Sequence, residues 1–207
     1  MTLDFLRPAP VVARDLLGAT VVSKVDGHTV AVRLTEVEAY GAEDDPGSHA
    51  FRGRTRRNGS MYGTGGTVYV YSIYGLHELL NLVTGPAGQA SAVLVRSGVV
   101  VAGTDVALAR RQVAGATAAL ARGPGNLAVC LGVTRRLDAL LLGPDAALDV
   151  LPASETLSGD RVSVGPRVGL RDDGRLERYW VTGEPSVSAF RPPTVRSKPA
   201  KAHPGHA

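Results

Sequence analysis

The chain has 207 residues, of which 44% are hydrophobic and 20% charged, which is typical of a soluble globular domain with a substantial core. No apolar run approaches the roughly 20 residues that span a bilayer and no signal segment opens the chain, so a cytoplasmic protein without membrane contact is expected. The net charge of +4 favours a polyanionic partner without requiring one, and the single cysteine, Cys130, excludes an intramolecular disulfide.

The first part of the chain predicts a short helix, a hairpin and a long loop. The helix covers 10–17, and strands over 19–25 and 28–40 meet at Asp26-Gly27, a strong two-residue hairpin signal. Residues 41–66 are rich in glycine and charge and lack periodicity. A loop of that length in a compact domain is usually functional or disordered.

The rest of the chain predicts further strands, two helices and a tail. Strands are expected over 67–73, 76–84, 92–101, 161–170, 178–181 and 186–190. One helix is expected over 105–113, with Thr104 as its cap and 114–122 as a possible extension. A second helix is expected over 127–131. Residues 191–207 hold prolines and basic residues and little that could pack, which predicts a flexible basic tail after a domain at 1–190.

The end of the second predicted strand carries a row of reactive side chains. Glu36, Glu38 and Tyr40 share one strand parity and continue the apolar row that begins at Val30. A carboxylate on a core-directed row is costly unless it is paired or used, so this strand end is a candidate active site. The alternative role for Glu36 is to pair with an arginine such as Arg33, or to orient a neighbour.

Other groups between residues 35 and 96 could serve the same site. The long loop carries His49 and a basic cluster that suits phosphate contact, although a solvated surface loop explains it equally well. Tyr69 and Tyr71 share one strand face, a stripe that is more often core than ligand platform. Tyr74 falls on a turn, where an aromatic ring has less to pack against. The basic cluster comprises Arg52, Arg54, Arg56 and Arg57.

Taken in order, these segments resemble the alkyladenine (3-methyladenine) DNA glycosylase family. The matching segments are Ala13-Arg14-Asp15-Leu16-Leu17-Gly18, Glu36-Val37-Glu38-Ala39-Tyr40-Gly41, Ser48-His49-Ala50, Gly53-Arg54-Thr55, Arg57-Asn58, Met61-Tyr62-Gly63, Tyr69-Val70-Tyr71-Ser72-Ile73-Tyr74-Gly75, Asn81, Val93-Leu94-Val95-Arg96 and Gly123-Pro124-Gly125. No single segment is diagnostic, but the ordered set is hard to obtain by chance.

The resemblance implies roles in base recognition and chemistry. Glu38 would be the general base that activates water against the sugar C1′. Tyr40, His49 and Tyr71 would line the pocket that receives a flipped base, and Asn81 would help to reject normal guanine. General chemistry agrees, because a base inside a duplex must be extruded before its glycosidic bond can be reached.

The resemblance also implies contacts with DNA outside the pocket. Tyr74 would be the wedge that fills the vacated base stack. Arg96 would hold a nearby phosphate, and Arg54, Arg57 and Gly125 would contact the DNA backbone. Gly125 lies just before a predicted helix, whose N-terminal backbone N–H groups suit a phosphate.

Two positions depart from the family pattern. Val37 stands where threonine is usual, and Asn126 follows Gly-Pro-Gly where lysine is usual. The segment after Leu151 matches only loosely. These departures concern lesion preference and DNA affinity more than the class of reaction.

The sequence therefore predicts a single α+β domain, with a curved, mainly antiparallel sheet, flanking helices and a projecting turn that forms the DNA wedge. The predicted function is a monofunctional DNA glycosylase for alkylated or deaminated purines, because no lysine lies near the site to act as a Schiff-base nucleophile. We expect it to need no cofactor or metal and to bind double-stranded DNA as a monomer.

Two other classes of function remain open. A metal-dependent nuclease could place Glu36, Glu38, Asp44, Asp45 and His49 around a hard cation, and a chelator would abolish its strand cleavage. A non-catalytic nucleic-acid-binding module would release no base at all.

Overall fold

The computed structural model describes residues 3–73, 75–115, 117–170, 174–190 and 192. Within these ranges the fold is α+β, as predicted. Its helices are α1 (Ala9–Leu16), α2 (Thr104–Arg111) and α3 (Pro124–Leu131). Its strands are β1 (Thr20–Val25), β2 (His28–Tyr40), β3 (Val68–Ile73), β4 (His77–Val83), β5 (Ala92–Ala102), β6 (Leu148–Leu151), β7 (Val162–Gly165) and β8 (Arg178–Val181).

The strands form one curled antiparallel sheet in the order β3-β4-β5-β2-β1-β6. β2 is its central strand. β5 lies along one side of β2, while on the other side β1 pairs with the first half of β2 and β8 pairs with the second half. β7 pairs with β8. The end of β2 is therefore enclosed by chain from both the middle and the last third of the sequence.

The two faces of the sheet are covered differently. The helices α1 and α3 pack on one face and bury the main core, which includes Leu16 and Leu127. The loop 41–66 covers part of the other face, where Met61 packs against Tyr69 in a smaller cluster. Cys130 is buried in the main core, as expected for a small apolar residue.

Paired β-bulges interrupt the central strands. In the β2–β5 register Leu34 lies opposite Gly98, and Val37 lies opposite Val95. Between these pairs Glu36 lies opposite Ser97, which leaves Thr35 on β2 and Arg96 on β5 outside the pairing. Such bulges bend a strand and redirect the side chains that follow.

The bulges overturn one prediction about the active row. Leu34 and Val37 are three positions apart, yet both pack in the main core. Glu36 and Glu38 therefore do not continue the apolar row that begins at Val30, because the alternation changes between the two segments. Both carboxylates are nevertheless fully buried, as a paired or functional role requires.

The helix α2 differs from its prediction at both ends. α2 stops at Arg111 because Gln112 takes a left-handed conformation (φ 52°), so the helix does not continue through 114–122. Its N-cap is Gly103 rather than Thr104, and Gly103 also has a left-handed φ of 69°. A β-carbon there would stand 2.2 Å from the carbonyl oxygen of Thr29, so only glycine fits.

The C-terminal third differs most from the prediction. The strand expected over 161–170 is confined to β7, the strand expected over 186–190 does not form, and β6 was not predicted. Short segments of this kind lack a clear period, so their pairing depends on partners distant in sequence. Residues 191 and 193–207 of the predicted tail lie outside the described residues. None of the helices in the described ranges has the length and hydropathy needed to cross a bilayer.

Candidate active site

A cavity of about 620 Å³ opens on the face of the sheet that the loop covers. Tyr40, His49, Tyr71 and Asn81, the four residues predicted to form a base pocket, all line it. They come from β2, the loop, β3 and β4. The sheet and the loop thus bring together side chains that are up to 41 positions apart in sequence, Tyr40 to Asn81.

Glu38 lies directly beneath this cavity. Its carboxylate is fully buried, and three donors reach it: the Tyr40 hydroxyl at 2.8 Å and Arg96 Nη1 at 3.2 Å on Oε2, and the Val168 amide at 2.7 Å on Oε1. All three donor residues line the cavity. An ionised carboxylate is an acceptor only, and it matches this set of donors.

The Tyr40 hydroxyl is fixed as a donor. Burial, followed by the charge of Glu38, raises the pKa of Tyr40 well above its ordinary value. The phenol therefore keeps its proton at neutral pH and holds one oxygen of the carboxylate.

Glu36 is saturated by structural contacts. Its carboxylate accepts five hydrogen bonds, from Arg96 Nε, Arg178 Nε, the Ser97 hydroxyl, and the amide and hydroxyl of Ser188, at 2.7–2.9 Å. Burial alone would raise the pKa of Glu36, but these partners outweigh burial and lower it. Glu36 is thus the paired carboxylate.

Arg33, suggested from sequence as a partner for Glu36, has another neighbour. It lies 3.9 Å from Glu184 instead. Glu36 pairs with arginines from β5 and β8, which the β-bulges and the β2–β8 pairing bring to it.

Arg96 lies between the two acids of the site. Its side chain is 8% exposed and its guanidinium bridges Glu36 and Glu38. Burial alone would lower the pKa of Arg96, but the charges of Glu38 and Glu36 raise it. Both carboxylates therefore contact the guanidinium from within the protein, and the phosphate contact of Arg96 stays a prediction.

Aromatic rings form the wall of the cavity. The ring of His49 meets that of Tyr71 edge-on, with centroids 4.4 Å apart, and its Nδ1 lies 2.9 Å from the hydroxyl of Tyr69. Asn81 donates to the carbonyl of Tyr69 at 3.1 Å, which fixes its amide. Partial burial, and then the charge of Arg57, lowers the pKa of His49. The imidazole is therefore neutral at neutral pH.

The predicted DNA-contacting residues are only partly gathered at the cavity. Arg57 lines it and donates to the carbonyl of Ser72 at 3.2 Å. Arg54 is exposed outside it, with its guanidinium 5.4 Å from the ring centre of Tyr62. Gly125 lies in the first turn of α3, after Pro124, which lines the cavity. The predicted wedge, Tyr74, lies outside the described residues.

Sequence reasoning missed the residues that complete the site from the last third of the chain. Val168 binds Glu38, and Arg178 and Ser188 bind Glu36. The two carboxylates predicted on one core-directed row indicated that cationic partners were needed. The sequence did not indicate which of the many arginines supplies it, since the pairing of β8 with β2 is not visible in local patterns.

The acidic side chains that the nuclease alternative places around a cation pair with arginines instead. Asp45 binds Arg167, Asp44 binds Arg175, and Glu36 binds Arg96 and Arg178. Among the described residues, no three of the histidine, cysteine and acidic side chains are grouped to hold a cation.

Comparison with known proteins identifies the family. Residues 3–185 match the family described as methylpurine-DNA glycosylase (MPG). Three relatives carry the name "Putative 3-methyladenine DNA glycosylase". The relative from Streptomyces avermitilis is 44% identical over 94% of this chain and 92% of its own length. The relative from Nocardia farcinica is 46% identical over 88% of this chain and 87% of its own length. The relative from Frankia casuarinae is 48% identical over 92% of this chain and 93% of its own length. The chain belongs to the methylpurine-DNA glycosylase family of DNA-repair hydrolases.

Proposed function

We propose that this enzyme is a monofunctional DNA glycosylase that flips a damaged purine out of duplex DNA into the aromatic cavity. Glu38 then activates a water molecule that attacks the sugar C1′ and displaces the base. The substrates are alkylated or deaminated purines, and the enzyme acts as a monomer without a cofactor or metal.

The observation that carries the proposal is the position of Glu38 beneath the cavity. Its oxygens are held by Tyr40, Arg96 and the Val168 amide, each of which also borders the space that a base would fill. A fixed negative charge at that point can orient water and stabilise the positive charge that develops on the sugar.

The cavity wall suits an extruded base. Stacking on aromatic rings contributes about 1–3 kcal/mol per base, while flipping costs a few kcal/mol and costs least for a weakly paired base. Tyr71 and the neutral ring of His49 supply such surfaces. An alkylated purine also carries positive charge and leaves readily, so the basic catalyst is the critical group and damaged bases are favoured.

The fixed amide of Asn81 supports discrimination against guanine. Its donor group is bound to the Tyr69 carbonyl, so the side chain cannot turn away to admit an extra exocyclic amino group. A rigid polar group of this kind rejects a substrate that it cannot match.

The reaction should end with an abasic site. The one lysine among the described residues, Lys24, donates to the carbonyl of Pro144 and does not line the cavity. Since no lysine in the described part of the chain lines the cavity, we expect no Schiff base and an intact strand.

The test uses duplexes that each carry one lesion, 3-methyladenine, 7-methylguanine, hypoxanthine or ethenoadenine, in buffer with EDTA. We expect wild type to release free base and leave the strand intact. Glu38→Gln should lower the single-turnover rate by about 10²–10⁴-fold, with DNA affinity changed little. Glu155→Gln is the matched control, since that exposed carboxylate pairs with Arg161 away from the cavity, and it should leave the rate unchanged.

Each competing function gives a different outcome. A nuclease would cleave the strand only without EDTA, and a binding module would release no base from any duplex. Full activity of Glu38→Gln would remove Glu38 from the mechanism.

A further inference from the structure

A buried ion pair stands behind the cavity and is used by none of the steps above. Asp45 and Arg167 are 0% and 1% exposed and meet through two contacts of 2.6 Å. This two-point geometry fixes both side chains in orientation as well as distance. A buried pair of this kind is not by itself evidence of added stability, because desolvation offsets much of the attraction.

Asp45 shapes the beginning of the loop 41–66. One carboxylate oxygen accepts the amide of Gly41 at 2.8 Å, and the other accepts the amide of Gly47 at 3.0 Å. The backbone carbonyl of Asp45 accepts the amide of Ser48 at 2.9 Å. The next residue is His49, so the ring in the cavity wall is carried by a turn that Asp45 holds.

Arg167 contacts the catalytic side of the cavity. Its guanidinium carbon lies 4.6 Å from the ring centre of Tyr40, and its Nη1 donates to the carbonyl of Ala39 at 3.0 Å. The residue after Arg167 is Val168, whose amide binds Glu38. Arg167 therefore holds, directly or through its neighbour, two of the three donors that fix Glu38.

We propose that Asp45 and Arg167 are positioning residues: their ion pair couples the loop that carries His49 to the two donors, Tyr40 and the Val168 amide, that align Glu38. This inference rests on the proposed function. The pair touches neither the substrate nor the attacking water, and it acts by keeping the base pocket and the general base in one arrangement.

The charges of the pair agree with a permanent contact. Burial would raise the pKa of Asp45, but hydrogen bonds from Arg167 and from the loop amides lower it. Burial would likewise lower the pKa of Arg167, and Asp45 raises it. Both groups stay charged across the pH range in which a repair enzyme works, so the contact is constant.

Arg167→Lys tests the proposal. Lysine keeps the positive charge beside Asp45 but lacks the planar group that lies on Tyr40 and binds both carboxylate oxygens. In single-turnover release of methylated purines from a dimethyl sulfate-treated duplex, we expect the saturating rate to fall about 10- to 100-fold. The enzyme concentration at half-saturation should stay within about twofold of wild type.

Two further variants complete the experiment. Asp45→Asn should lower the saturating rate in the same way, since the amide cannot make the paired contacts. Asp44→Asn is the matched control: Asp44 is the preceding carboxylate, its side chain is 76% exposed, and it meets Arg175 at 3.3 Å. The control should keep the wild-type rate.

The outcomes separate this inference from the proposed function. If wild type releases methylated purines, and Arg167→Lys and Asp45→Asn do so at the same saturating rate, the positioning role is overturned and the glycosylase function stands. If the saturating rate of each variant falls only in proportion to the fraction of that variant that is unfolded, or if both variants unfold, the positioning role is also overturned, in favour of a role in folding. No release by wild type would overturn the proposed function itself.

Discussion

At the level of single residues, the centre of the site is a neutral group of four charges. Glu36 and Glu38 face Arg96 and Arg178, so two buried carboxylates balance two largely buried guanidinium groups beside the cavity. Removing charges from water is expensive, and attraction within the protein compensates only when geometry and hydrogen bonding are good. The two acids share Arg96, so the paired Glu36 helps to fix the orientation of Glu38, the proposed general base.

His49 gives the site a measurable pH dependence of stability. Its pKa is lowered in the folded protein from an ordinary 6.5, by partial burial first and by Arg57 second. The unfolded chain therefore binds more protons than the folded one between the two values, and the contribution of His49 to stability falls as pH drops below about 6.5.

The comparison of wild type with His49→Gln measures this effect. Urea unfolding at pH 7.5 and 5.5 should show wild type losing free energy of unfolding relative to the variant at the lower pH. The opposite change, a relative gain for wild type in acid, would mean that the folded site prefers imidazolium and that the neutral-ring assignment is wrong.

At the level of elements, the bulges in β2 and β5 create the site. They let Leu34 and Val37 stay in the main core while Glu36 and Arg96 meet beside the cavity. Gly98 lets β5 pack closely against β2 at this point, because a β-carbon there would stand 2.4 Å from Val32 Cγ1 and 2.5 Å from the carbonyl oxygen of Arg33. A backbone atom at that distance cannot move aside without distorting the strand.

Gly98→Ala should therefore destabilise the fold by about 1–3 kcal/mol, the usual range for overpacking a filled interior. For a chain of this size, that corresponds to a melting temperature lowered by about 2–4 °C per kcal/mol. Gly59→Ala is the matched control, because a β-carbon at Gly59 meets no atom within 4 Å among the described residues. Equal melting temperatures for the two variants would contradict the close approach.

The same elements show what the sequence could reveal about the fold. β2 begins and ends where predicted, because its β-branched residues and the Asp26-Gly27 turn are local signals. The short β8, which contains Tyr179 and Trp180, also has its predicted bounds. The face that Glu36 presents was wrongly predicted, since a bulge depends on the partner strand. Arg178 and Ser188 were missed for a related reason: their importance arises from pairing across about 150 residues of chain, as in the Ser188–Glu36 contact with a separation of 152.

At the level of the whole molecule, the mild positive charge suits a long anionic partner. The exposed Arg57 stands at the rim of the cavity, anchored to the carbonyl of Ser72 in β3. A phosphate contact there would position a duplex with its damaged base over the pocket.

Salt dependence tests that contact. In Arg57→Ala, the slope of log affinity against log salt concentration for a duplex should become shallower by about 0.9, the value for one released counterion. Arg161→Ala, which removes a charge already paired with Glu155, should leave the slope unchanged. Equal slopes for wild type and Arg57→Ala would show that Arg57 does not contact a phosphate.

The dependence of both acids on the last third of the chain has a consequence for biosynthesis. Glu36 and Glu38 are synthesised 130 to 152 residues before Val168, Arg178 and Ser188, which bind them. A growing polypeptide can therefore offer Arg96 to both acids before Arg178 and the amides of Val168 and Ser188 have been made. The set of donors around both carboxylates is complete only after residue 188 has been made, so we expect a product terminated before Val168 to be inactive although it retains every motif of the first half.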